Sequence, residues 1–116
     1  MDRDQWTEEQ LDGVFLGCRA SAFHMAVSNP KFEYWLLLHF EDGSGLSGSR
    51  DCTQRIMRHL PNFKKGHLEN QKIEPGIPDA IHRAEAKDTP SCEDWPRTNG
   101  STVYRLVKRL TEQLLP

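Results

Sequence analysis

The sequence predicts an α/β fold, a partial and open parallel sheet of few strands followed by a predominantly helical C-terminal half. Three observations carry that expectation. A helix-start pattern at Trp6–Gln10 is followed, one helix length later, by an alternating apolar run, and a second helix start comes directly after it at Asn29-Pro30. A helix joining two extended segments is the crossover that parallel pairing requires. Beyond residue 42 the apolar residues recur at helical spacing, with turn-rich stretches between the segments.

In chain order, Thr7 is the N-cap of the first helix, Gln10 takes the reciprocal capping-box position, and Trp6 is placed to touch Leu11 as a hydrophobic staple. This helix runs from about Glu8 to Arg19. Leu11, Val14, Phe15 and Cys18 give it an apolar face, against the unfavourable helix propensity of Gly13 and Gly17. Phe23, Met25 and Val27 then alternate with His24 and Ala26, which reads as a short strand over Phe23–Val27. Residues before Thr7 are, by the crossover argument, the end of an earlier strand of the same sheet. Met1 opens the chain where such a strand would be finishing, so an open edge or a partner chain stands in for the rest of it. A homo-oligomer follows if that partner is a second copy.

Asn29 supplies a side-chain acceptor for the first helical amides, and Pro30 sits where a missing N–H does no harm. Phe32, Trp35, Leu36 and Phe40 form a buried stripe on the helix that starts there, widened by Tyr34, Leu37 and Leu38, with Glu33 and His39 on its rim. Glu41–Gly48 is a glycine-rich turn. Ser47 or Ser49 caps a helix over about Arg50–Leu60, which buries Cys52, Ile56 and Leu60 and ends at Pro61. Asn62–Gly76 reads as a basic, polar loop. Ile77, Ala80, Ile81 and Ala84 mark a short helix ending near Lys87, and Asp88–Gly100 reads as exposed and mobile. The last helix, about Thr102–Leu115, buries Val103, Leu106, Val107, Leu110 and Leu114.

At 116 residues the chain suits one modest domain, with an apolar fraction of 36% and a charged fraction of 28%. Its longest apolar run, Tyr34–Leu38, is far short of the roughly 20 residues that span a bilayer, and the acidic N-terminus has no signal-peptide core. A cytoplasmic location is expected. Cys18, Cys52 and Cys92 are widely separated and suggest neither a disulfide framework nor a zinc knuckle. The formal net charge of −2 conceals an acidic start and a basic middle, where Arg50, Arg55, Arg58, Lys64, Lys65 and Lys72 outnumber Asp51 and Glu69. Such a middle either faces phosphates or is a solvated helix face.

Asp2-Arg3-Asp4 is the one constellation able to carry catalysis. In an extended strand the two carboxylates share a face, roughly 6.5 Å apart along the backbone, and can grip a magnesium ion. Acids before a helix also complement its positive end, so the bland reading stands beside the metal site.

The block Ser28-Asn29-Pro30-Lys31-Phe32-Glu33-Tyr34-Trp35-Leu36-Leu37-Leu38-His39-Phe40 resembles the signature of RloB-like proteins, which are associated with bacterial phage defence and abortive infection. Its signature positions are Asn29, Pro30, Phe32, Trp35 and His39, and the resemblance covers almost the whole chain. It implies the C-terminal part of a Toprim-like domain, with residues 1–42 as a βαβα core and residues 43–116 as a helical extension. It also implies a metal-dependent nuclease with Mg2+ (or Mn2+), since Asp2 and Asp4 fall where the family has an Asp-x-Asp motif like that of Toprim-type nucleases. The metal would polarise the phosphoryl group and activate a bound water. Glu33 is a candidate additional carboxylate. The Toprim pattern has an upstream glutamate for which this sequence has no counterpart. Lys64 and Lys65 match a basic family position, and with Arg55 and Arg58 they are candidate nucleic-acid contacts. Family members are often encoded beside an AAA or ABC-type ATPase, which is therefore an implied partner. The rival reading is a non-catalytic interaction module that binds nucleic acid or the ATPase.

Overall fold

The computed structural model describes residues 1–21, 24–63 and 68–114. Helices dominate: α1 (Glu8–Ala20), α2 (Phe32–Leu37), α3 (Ser49–His59), α4 (Asn70–Ile73), α5 (Ile77–Lys87) and α6 (Val103–Leu114). Two short strands, β1 (Ser28–Asn29) and β2 (Gly100–Ser101), pair antiparallel, with Ser28 opposite Ser101 and Asn29 opposite Gly100. No helix among the described residues is long and apolar enough to cross a membrane.

The expected open parallel sheet is thereby corrected. Its parallel component is one bridge between Asp2 and Ser28. Around it the Ser28 amide donates to the Met1 carbonyl (2.9 Å), the Asp4 amide to the Pro30 carbonyl (3.0 Å) and the terminal amine to the Ala26 carbonyl (2.7 Å). Residues 1–4 do run alongside residues 26–30 in the same direction, with α1 as the crossover. The strand expected over Phe23–Val27 lies instead at Ser28–Asn29, and Phe23 falls outside the described residues. The ladder stops at Val27 because its neighbour is the start of α6: Thr102 Oγ1 accepts from the Val27 amide (2.9 Å), and the Thr102 amide donates back to the Val27 carbonyl (2.9 Å).

The helix starts vary in how local their causes are. Thr7 and Gln10 form the full capping box of α1, with Oγ1 of Thr7 accepting from the Gln10 amide (3.1 Å) and Gln10 Oε1 accepting from the Thr7 amide (2.9 Å). Trp6 packs against the cluster that contains Leu11, Val27 and Trp95. For α2 the expected cap is wrong. Asn29 sends its amide group to the Pro96 carbonyl (3.0 Å), the Asn29–Pro30 bond is cis, and the helix begins at Phe32, two residues after Pro30. It becomes irregular after Leu37, yet Leu38 and His39 remain buried. Neither Ser47 nor Ser49 caps α3; Gly48 holds that position at φ 146°, a conformation glycine alone adopts readily.

The larger core joins α2, α3, α5 and α6 through Tyr34, Trp35, Leu36, Leu37, Leu38, Cys52, Ile56, Leu60, Ala80, Ala84 and Tyr104. Phe32, expected in the buried stripe, is 40% exposed. The polar stretch after Asn62, expected as loop throughout, contains α4 and a 3-10 turn at Glu74–Gly76. Gly76 is required there, because a Cβ would run into the His39 carbonyl oxygen. Asp88–Gly100 is also better fixed than expected: Trp95 is buried, and Asn99 donates to the Leu46 carbonyl (2.9 Å). On α6, Val103 and Val107 face the core, whereas Leu106 and Leu110 are about half exposed, against the expected burial.

Candidate functional site

Asp2 is extended, but Arg3–Gln5 is a 3-10 turn, so the same-face rule for alternate strand residues does not govern Asp2 and Asp4. Both still lie where the parallel pairing ends, just before α1. Asp2 Oδ1 accepts from the Phe32 amide (2.8 Å) and so satisfies the first orphan N–H of α2, while Asp4 is exposed. The complement to helix amides weighed from the sequence is thus real, but the helix is α2 rather than the one that follows the pair. Glu33, one residue beyond Phe32, is mostly covered and lies 4.0 Å from the Lys31 ammonium.

The basic candidates separate into different roles. Arg55 is tied inward: Nη1 donates to the Ser44 carbonyl (2.8 Å), and Nη2 pairs with Glu41 Oε1. Glu41 Oε2 meets His59 Nε2 at 2.9 Å, and the His59 ring stacks on Phe40. Burial alone would raise the Glu41 pKa, but the hydrogen bonds and charges of His59 and Arg55 outweigh it and hold the carboxyl below its usual range. Arg55 therefore pins the 41–44 turn to α3, with its guanidinium engaged by Ser44 and Glu41. Arg58 is exposed. Lys64 and Lys65 lie outside the described residues.

Among the signature residues, His39, expected on the helix rim as solvated or hydrogen-bonded, is buried and hydrogen-bonded. Its Nδ1–H donates to the carbonyls of Trp35 (3.0 Å) and Leu36 (3.2 Å), and its ring sits edge-on to Trp35 at 4.9 Å. Burial pushes its pKa down against those two bonds, with the Arg83 charge adding to the fall. His39, Trp35 and Asn29 hold the fold.

One polar cluster escaped the sequence reading. Asp88 accepts from the Tyr104 hydroxyl (2.6 Å), Arg105 Nη2 (2.6 Å) and the Cys92 amide (2.9 Å), and Arg105 Nη2 also donates to the Cys92 carbonyl (2.6 Å). The signal was present only as an acid after α5 and an arginine on α6, and nothing local links them. Burial keeps the Cys92 thiol protonated, with a pKa pushed up to about 11, and does the same for Cys52, at about 12.

Among the described residues no three His, Cys, Asp or Glu side chains gather into a metal cage. Magnesium does not need one, since it keeps several waters and is held through one or two carboxylates plus substrate phosphates. Asp2 and Asp4 fit that mode by donor type. The Phe32 amide takes one Asp2 oxygen and leaves the second for a cation.

Fold and site together define a helix-rich α/β domain with an acidic pair where a short parallel pairing ends. The chain belongs to the RloB-like protein family, whose model matches residues 1–110. No curated protein and no solved structure matches it.

Proposed function

We propose that this chain carries the metal-binding acids of a Toprim-like, magnesium-dependent nuclease that acts in bacterial anti-phage defence. Asp2 and Asp4 hold the ion. The observation that carries this reading is the parallel pairing of residues 1–4 with residues 26–30, because it brings the acids to the carboxyl end of a crossover unit, the usual ligand crevice of an α/β fold. Family membership supports the same assignment. A bound magnesium or manganese ion supplies a polarised phosphoryl group and a water of lowered pKa. Of the chain's own residues, Asp2 is oriented by the Phe32 amide, Asp4 faces solvent, and Glu33 stands within the same helical turn. A cytoplasmic setting and, on the family resemblance alone, an AAA or ABC-type ATPase partner complete the proposal.

The non-catalytic interaction module is favoured by one specific observation, that Asp2 already serves a helix amide. Titration calorimetry with MgCl2 separates the readings. The nuclease reading predicts a saturable heat for the native chain that is lost in Asp4→Asn, a substitution that leaves the Asp2 contact to the α2 amide in place. Equal heats, or none in either protein, would favour the interaction module.

A further inference from the structure

We infer that the surface from the start of α2 onto the outer face of α3 binds single-stranded nucleic acid, with Phe32 stacking on a base and Arg50, Gln54 and Arg58 following the backbone. The inference rests on the nuclease reading for its purpose, since it supplies the substrate class for that site. Its geometry is separate.

Phe32 has the most exposed aromatic side chain among the described residues, at 40%. Its position is fixed from behind, because its amide is held by Asp2 and the next five residues continue as α2. A ring presented in this way beside an acidic pair offers a face on which a base can stack. Lys31, immediately before it, reaches across to α3 and donates to the Thr53 hydroxyl. Thr53, with Ser49, Arg50, Gln54 and Met57, lines an open groove of about 690 Å3. The surface is therefore continuous from Asp2 through Phe32 and Lys31 to α3.

Along α3 the two faces differ in chemistry. Cys52, Ile56 and Leu60 are fully buried, whereas Arg50, Gln54 and Arg58 recur every four residues and are exposed. That stripe offers cationic forks for phosphates and an amide for base or sugar edges. It also answers an electrostatic difficulty, because the acidic pair on its own repels a phosphate chain, and the stripe provides the attraction needed nearby. A duplex suits the surface poorly. Its bases are already stacked on one another and offer the Phe32 ring no free face.

The test is fluorescence anisotropy of the full chain with labelled dU and rU 12-mers, which differ only in the sugar, and a duplex of equal length, all in EDTA so that metal binding plays no part. Either single strand should bind more tightly than the duplex, and the tighter of the two names the sugar. Phe32→Ala should weaken single-strand binding about tenfold while Phe32→Trp preserves it. Arg50→Ala and Arg58→Ala should each lower the salt dependence by about one phosphate contact. The inference is overturned if the duplex binds as well as the single strands, or if Phe32→Ala with native circular dichroism binds like the parent chain. Loss of the magnesium heat alone would strike the nuclease reading and leave this surface standing.

Discussion

At Asp88 a carboxylate with 8% side-chain exposure meets the Tyr104 hydroxyl, the Arg105 guanidinium and the Cys92 amide, joining the end of α5, the loop after it and α6. Removing its charge leaves Arg105 facing a neutral partner in a mostly covered site. Asp88→Asn should therefore lower the unfolding free energy by about 1–2 kcal/mol, the solvent that reaches Arg105 moderating the loss, read by urea denaturation. Burial works to raise the Asp88 pKa, but the bonds from Cys92, Tyr104 and Arg105 prevail and hold it low. Glu41 behaves in the same way. Both carboxyls bind protons less readily folded than unfolded, so their stabilisation is complete above the unfolded carboxyl range of about pH 4. It falls away as pH drops through the folded values. Acid titration of stability should show the parent chain losing more than an Asp88→Asn chain below that range. None of this was legible beforehand, since Asp88 opens a stretch rich in Pro and Ser and its partners lie on another element.

Local grammar predicted the elements whose start and stop signals are local. The α1 capping box and the Ile77–Lys87 span of α5, which starts with Pro78 in its first turn and has no side-chain cap, stand where the sequence put them. The start of α2 was misread because its cap, Asp2, comes from 30 residues upstream, which no local pattern encodes. The burial of Leu106 and Leu110 was misread for a related reason: the period gives an apolar face to α6 but not the width of surface available to cover it. Glycines test the packing of these elements directly. Gly13 and Gly17 have helical surroundings and nothing within 4 Å of an added Cβ, so Gly13→Ala and Gly17→Ala should each stabilise by about 0.5–1 kcal/mol, seen as a raised Tm. Gly76→Ala should do the reverse, by about 2 kcal/mol or more, because the obstacle is the His39 backbone and cannot rotate away.

Across the whole molecule, a crossover from the residues before Thr7 through α1 to a strand at Phe23–Val27 was the expectation; the structure has one isolated parallel bridge, between Asp2 and Ser28, just beyond the expected strand. The antiparallel pair was not legible. Two-residue strands have too little sequence to show alternation, and β2 lies in what reads as a polar linker. Of the candidate site, the acidic pair and Glu33 fall near the start of α2, while Arg55 belongs to a structural clamp. Two-dimensional NMR with substoichiometric Mn2+ tests the metal assignment most directly. The paramagnetic ion should broaden the amides of residues 2–5 and 31–33 first, and Asp4→Asn should abolish that pattern. Broadening spread evenly over the surface, or centred on other carboxylates, would contradict it.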